Sequence, residues 1–275
     1  MLSLIGKTKK LSNLPLDIYS FRLKKFKPNV YIRIEKSNYI IKTVEDYRGL
    51  IDVLKLRYRV FNLQKRKILK IDIDEFDKIA DHLIVYDTAK NIPVGTYRVL
   101  CSEFTDRFYS ESEFDISQIK SFDGVKVELG RASILPEYRN GLVIMLLWKA
   151  ISEYVSKVNG KFLFGCSSVF TTDPLEVAFI TDYLIRNYGS QTVEVKPYKT
   201  VKGIEKSLSF LRENMVNTDF IESKIPSLLK VYLNAGAKIC GLPYLDEEFG
   251  CVDFFTFLDI SKLNESFKRK YGKSI

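Results

Sequence analysis

The stretch from Val125 to Gly141 constrains this chain more than any other. Val125–Ile134 reads as a strand, Pro136–Gly141 as a turn, and Leu142–Val158 as a helix that Gly160 follows. The helix opens on Leu142 to Leu147, which is apolar almost all round, so its first turns have to be buried. A buried helix N-terminus presents unpaired N–H groups and partial positive charge, which suits a phosphate. Arg139, Asn140 and Gly141 sit where such an anion would lie; a plain turn is the simpler reading of the same residues. In the strand, alternation puts Val127 and Leu129 on one side and Glu128, Gly130 and Ala132 on the other. A carboxylate among so many apolar neighbours needs a partner or a proton. Glu128 is therefore either half of a structural ion pair or a general base for an attacking amine. The nearest following cation, Arg131, falls on the opposite face of a regular strand. Pairing the two requires a bulge at Gly130.

Upstream, Val30 to Glu35 alternates as a strand, and Tyr39 to Ile41 begins a second. Glu45–Phe61 has apolar residues at helical spacing (Leu50, Val53, Leu54, Leu56, Val60, Phe61). Leu83–Tyr86 and Val94–Cys101 form a hairpin, and Ser102–Gly124 is a long acidic-aromatic loop of the kind that covers a site. After the central helix come a buried strand at Lys161–Ser168, a helix at Pro174–Tyr188, a weakly patterned run at Thr192–Asn217, a helix at Pro226–Ala235, and strands within Ala237–Leu258. That order predicts an α/β fold around one mixed central sheet flanked by helices. The expected organisation is a basic N-terminal arm at 1–28, one domain at 29–260, and a basic C-terminal tail at 261–275.

The charge of +9 calls for a partner, and much of it lies near the ends, from Lys7 to Lys27 and from Lys268 to Lys273. A solvated surface, an acidic carrier protein or an anionic lipid surface would each account for it. Zinc spacing, an RRM-like aromatic signature and helix-turn-helix cues are all lacking, so nucleic acid is not the expected partner. No apolar run is long enough to span a bilayer, and Met1–Gly6 is too short for a signal-peptide core, so a cytoplasmic protein is expected. Cys101, Cys166, Cys240 and Cys251 have no metal or redox spacing and read as small buried hydrophobes; no metal is expected. His82 and Asp87 stand five apart in a strand and point to opposite faces, so they make no dyad. The Asp72 run lacks the glycine and glutamate of a calcium loop. Ser167 and Ser168 have no nucleophile elbow around them.

Several segments, in order, resemble the bacterial ornithine lipid N-acyltransferases of the GNAT-like superfamily. They are Leu56-Arg-Tyr-Arg-Val-Phe61, Asp72-Ile-Asp-Glu-Phe-Asp77, Asp81-His-Leu-Ile-Val-Tyr86, Val94-Gly-Thr-Tyr-Arg-Val-Leu100, Glu128-Leu-Gly-Arg-Ala132, Pro136-Glu-Tyr-Arg139, Pro226-Ser-Leu-Leu-Lys-Val-Tyr232, Gly236-Ala-Lys and Asp253-Phe-Phe. A more distant likeness is to acyl-homoserine lactone synthases, through Arg57, Phe61, Asp74, Asp77, Arg98, Glu128 and Arg131. The tryptophan typical of those enzymes falls near Lys67 here. The resemblance implies transfer of a 3-hydroxy fatty acyl group from acyl carrier protein to the α-amine of an amino acid, ornithine first. Glycine, serine or lysine as acceptor, homoserine lactone synthesis, and a non-enzymatic module binding an acyl carrier or membrane are the alternatives. It implies no bound cofactor. The phosphopantetheine arm of the carrier, or of coenzyme A, would place its phosphate at Arg139, Asn140 and Gly141. Glu128 would be the base. Arg57, Arg98 and Arg131 would hold the acceptor carboxylate or pair with Asp74 and Asp77, and Phe61 would line the acyl tunnel. The implied location is cytoplasmic, with peripheral contact at the inner face of the membrane.

Overall fold

A computed structural model describes residues 25–61, 70–214 and 219–271. In chain order the elements are β1 (Arg33–Lys36), β2 (Tyr39–Thr43), α1 (Tyr47–Phe61), β3 (Asp81–Asp87), β4 (Ile92–Cys101), β5 (Phe114–Asp115), α2 (Ser117–Ser121), β6 (Val125–Ile134), α3 (Leu142–Lys157), β7 (Gly160–Val169), α4 (Pro174–Tyr188), β8 (Lys196–Pro197), α5 (Ile204–Glu213), α6 (Ser227–Ala235), β9 (Lys238–Ile239), β10 (Tyr244–Asp246), β11 (Cys251–Asp259) and α7 (Glu265–Tyr271). Contacts divide the chain into two compact units, residues up to 99 with 131–151, and residues 100–130 with 152–275.

In the first unit the strands run β1-β2-β3-β4 and then the end of β6. The β1–β2, β2–β3 and β3–β4 pairs are antiparallel. Helix α1 buries Leu50, Val53, Leu54 and Leu56. Three of these pack with Phe26, Val44, Ile71 and Ile84, and each aliphatic side chain so buried contributes roughly 2 kcal/mol. The last residues assigned to the arm thus include a core residue, Phe26; the arm up to residue 24 lies outside the described residues, as does Lys67. Helix α3 closes on β4 at Gly95, where a Cβ would stand 2.5 Å from Val143. The prediction of a buried helix start holds for Val143, Leu146 and Leu147; Leu142, Ile144 and Met145 are half-buried.

In the second unit the order is the start of β6, then β7, β11 and β10, with β9 also on β11. β6 and β7 are parallel, while β7 and β11 are antiparallel, so the sheet is mixed. One face of β7 and β11 packs through Val169, Val252 and Phe254 against Val177, Ile180 and Leu184 of α4. Asp173 caps α4, accepting from the Glu176 N–H, with Pro174 at its first position. The segment read as weakly patterned holds α5, with Ile204, Leu208 and Leu211 buried. The end read as a basic tail carries α7, and Leu263 and Phe267 are buried there.

Candidate functional site

In the first unit, Arg57 projects from α1 into a set of buried aspartates. It donates to Asp72 Oδ2 from Nε and Nη2 at 3.0 and 2.8 Å, and to Asp77 Oδ1 from Nη1 at 2.5 Å. Arg98 on β4 donates to both Asp74 oxygens at 2.6 and 2.7 Å and to Asp77 Oδ1 at 3.2 Å. Arg131 on β6 donates to Asp74 Oδ2 at 3.1 Å and lies 4.0 Å from Asp72. A 3₁₀ turn, Glu75–Lys78, fixes the acids: Asp74 accepts from the Phe76 N–H, and Asp77 accepts from the Asp74 N–H. The sequence thus brings Arg57, Asp74, Asp77, Arg98 and Arg131 together, with Asp72 as a sixth member. Phe61 sits half-buried at the end of α1.

Three guanidinium groups face three carboxylates, and the charges cancel. Burial works against the Arg57 charge, but Asp77 and Asp72 outweigh it and raise its pKa. Burial likewise opposes ionisation of Asp74, yet Arg98, Arg131 and Arg57 hold its pKa far below the usual carboxylate range. His82 is wholly buried and its Nε2 is 3.0 Å from the Asp77 carbonyl oxygen. Burial pushes its pKa down to about 4, against the pull of Asp77, so it is neutral at pH 7. Asp87 is taken up elsewhere, accepting from the Tyr138 hydroxyl at 2.8 Å.

The predicted anion turn is exposed. Asn140 Oδ1 accepts from the Leu142 N–H at 3.2 Å, and Arg139 Nε donates to the Ile134 carbonyl at 3.1 Å. Gly141 has φ +91°, and a Cβ there would meet nothing within 4 Å. A side chain would be strained by the backbone rather than by crowding.

In the second unit, Glu128 lies on β6 and is buried. Its oxygens accept from the Tyr109 N–H at 2.6 Å, the Ser110 N–H at 2.7 Å, and the Ser110 hydroxyl. These donors belong to a 3₁₀ turn, Tyr109–Ser112, inside the segment expected to be a loop. Arg131 has φ +52°, a left-handed conformation that breaks the strand alternation. The side chain of Arg131 goes to Asp74 and Asp72, and that of Glu128 to the Tyr109–Ser110 turn.

The same turn leads to a carboxylate that sequence reasoning did not single out. Glu113 is 3% exposed, and its Oε2 has no hydrogen-bond partner among the described residues. Burial, then the charge of Asp253, pushes its pKa up to about 8. Cys166, on β7, has its thiol pKa raised by burial and by the charges of Glu113, Asp253 and Glu128. Asp253 on β11 pairs in register with Ser168, whose hydroxyl donates to it at 2.5 Å. Asp246, Cys251 and Asp253 offer ligand atoms within 4.8 Å of one another. The Cys251 thiol has its pKa raised by burial and by the charge of Asp253. The only sequence signal for Glu113 was its place in an acidic-aromatic segment long enough to cover a site.

Comparison with known proteins adds three findings. Residues 56–149 match the family model described as an acetyltransferase (GNAT) domain. An L-ornithine N(alpha)-acyltransferase of Brucella abortus (strain 2308) is 32% identical over 79% of this chain and 83% of its own length. One of the same name from Rhizobium meliloti (strain 1021) is 30% identical over 89% and 84%. Among solved structures, the AHL synthase LasI superposes with a TM-score of 0.50 at 13% identity, covering 86% of this chain and 95% of its own, which shows a shared fold. Among the described residues no helix is long and apolar enough to cross a membrane.

Proposed function

The chain belongs to the L-ornithine N(alpha)-acyltransferase family, and from that footing we propose that it transfers a 3-hydroxy fatty acyl group from acyl carrier protein to the α-amine of ornithine. The observation that carries this reading is a match at 32% and 30% identity extending over 83% and 84% of the length of two relatives that bear the name of that activity. The chemistry needs a neutral amine, a held thioester and a proton acceptor. An α-amine titrates near 8, so a carboxylate base is adequate at neutral pH. The nitrogen attacks the thioester carbonyl, backbone N–H groups hold the oxyanion, the carbon–sulfur bond breaks, and the leaving thiolate takes up the proton that the base removed from the amine. Glu128 accepts the amine proton by way of the Ser110 hydroxyl, which already lies against it.

Arg139, Asn140 and Gly141 receive the phosphate of the phosphopantetheine arm, at an open turn where the backbone can approach an anion. Arg131 meets the acceptor carboxylate. Its side chain is 15% exposed, while those of Arg57 and Arg98 are 1% and 2% exposed and fix the aspartates that position it. Phe61 lines the acyl path. The charge of +9 steers an acidic carrier and favours contact with an anionic membrane that takes up the product from the cytoplasmic side.

The test is a direct assay. Full-length protein is incubated with a long-chain 3-hydroxyacyl carrier protein, or with the matching coenzyme A thioester. Ornithine, lysine, glycine or serine is supplied as acceptor, and N-acyl products are read by mass spectrometry. The expected result is N-acylornithine from the carrier-bound donor. Absence of product with every acceptor and both donors overturns the reading.

A further inference from the structure

The face of β7 and β11 that carries Cys166 changes character along its length. Phe162 and Phe257 stack at one end, 5.6 Å apart, followed by Phe164 and Phe255 at 5.7 Å. Beyond them, at the same parity, come Cys166, Ser168, Asp253 and Cys251. The segment from Tyr109 to Asp115 belongs to the same cluster. It is fastened by the Glu128 hydrogen bonds, by the β5–β8 ladder through Phe114 and Pro197, and by the Tyr198 N–H, which donates to the Glu113 carbonyl at 2.9 Å. Held this way, Glu113 buries a carboxyl oxygen that nothing among the described residues satisfies. An orphaned buried oxygen is costly, more so when charged, and such a group persists where a ligand completes it.

The surroundings specify that ligand. The charges that weigh most on Glu113 are those of two further acids, Asp253 and Asp246. A group of acids with a missing donor calls for a cation that also donates hydrogen bonds. A primary ammonium does both, with three N–H donors. Asp246 and Tyr244 on β10 are half-buried beside the fully buried acids, which leaves the cluster a solvent-side edge.

We propose that Glu113 and Asp253 bind the side-chain ammonium of the acceptor amino acid, and so select a diamino acid over a neutral one. This rests on the N-acyltransferase reading and extends it: the α-amine reacts, and the second amine is the recognition handle. No bond is made at the second amine. A proton held by Glu113 passes to solvent when the ammonium arrives, and the Glu113 carboxylate and the ammonium then form a neutral pair.

The experiment compares ornithine with norvaline, the same five-carbon chain lacking the terminal amine, using carrier-bound acyl donor and the full-length protein. The readout is the ratio of the two kcat/KM values. Wild type should favour ornithine strongly. In Glu113→Gln, and separately in Asp253→Asn, that ratio should fall by about 30-fold or more, as expected for removing one partner of a buried charge pair. A wild type that acylates both acceptors equally well overturns the proposal and leaves the N-acyltransferase reading standing. A wild type that acylates neither overturns that reading. Equal losses with both acceptors in the variants would assign the two acids to the common chemical step or to the fold. An ornithine preference that disappears on chelation would assign the cluster to a metal ion. Either result overturns the ammonium site.

Discussion

The molecule buries carboxylates in two places and treats them in opposite ways. In the first unit, Asp72, Asp74 and Asp77 meet Arg57, Arg98 and Arg131, and each acid accepts from guanidinium donors. In the second unit, Glu113 is as deeply buried, yet its strongest electrostatic neighbour is another acid, and it keeps its proton to a pKa of about 8. Burial alone therefore says little about what a carboxylate does. The first arrangement fixes a turn and holds β4 and α1 to it. The second leaves a carboxylate oxygen without a hydrogen-bond partner among the described residues, and an acceptor left open in this way is what a cationic substrate can fill.

The sharpest way to break this contrast is to take one acid from the neutral cluster. Asp77→Ala leaves Arg57 and Arg98 buried and short of a partner. Removing one side of a buried pair costs about 3–5 kcal/mol. Denaturant unfolding should show a loss of that size. A loss below about 1 kcal/mol would mean that the network is not what holds the turn.

The next effect is pH dependence, and the two clusters should tilt stability in opposite directions. His82 has a folded pKa of about 4 against 6.5 unfolded, so between those values the unfolded chain binds the extra proton. Stability is then lost as pH falls from 6.5 toward 4, by up to about 3 kcal/mol at roughly 1.4 kcal/mol per unit. Glu113 behaves in the reverse sense. Its folded pKa of about 8 lies above the unfolded 4.5, so the folded chain holds the extra proton in that window. Its contribution is fully present below 4.5 and is lost as pH rises through 8, by several kcal/mol. Stability curves of His82→Gln and Glu113→Gln from pH 4 to 9 separate the two. The first should flatten the acid side, and the second should make the protein more stable at pH 8.5 than wild type. A Glu113→Gln curve parallel to wild type would dissolve the distinction between the clusters.

This contrast was only half visible in the sequence. The strand at Val125–Ile134 and the helix at Pro174–Tyr188 have the bounds that alternation and an Asp-Pro start imply, because local pattern and packing agree there. Arg57, Asp74, Asp77, Arg98 and Arg131 could be grouped, but periodicity could not say that Asp74 and Asp77 share one short turn and accept from all three arginines. The odd spacing of Glu128 and Arg131 asked for a bulge at Gly130 if the two were to pair; instead Arg131, at φ +52°, reaches Asp74 while Glu128 accepts from the Tyr109–Ser110 turn, and alternation could show neither destination. Helix α5 was missed although Ile204, Leu208 and Leu211 are spaced for one face, since the charged residues between them dilute the signal. Glu113 was unreadable for a different reason. One acid among Glu111, Glu113 and Asp115 looks no more buried than its neighbours until β8 pairs with β5 and the Tyr109–Ser112 turn locks onto Glu128, and all of those contacts are distant in sequence.

The smallest predicted stability effect concerns the link between Glu128 and that turn. Ser110→Ala removes the hydroxyl donor and leaves the two backbone N–H donors in place. The stability loss should be near the net worth of one hydrogen bond to a charged group, about 1.5–3 kcal/mol. The consequences for rate decide between two roles. If the hydroxyl passes the amine proton to Glu128, kcat should fall by at least about 100-fold, with KM for ornithine little changed. If the hydroxyl only fastens the turn that carries Glu113, the loss should appear in KM for ornithine and be absent for norvaline. The Ser110 hydroxyl stands between the proposed base and the proposed ammonium site, and the split between kcat and KM tells which of them it serves.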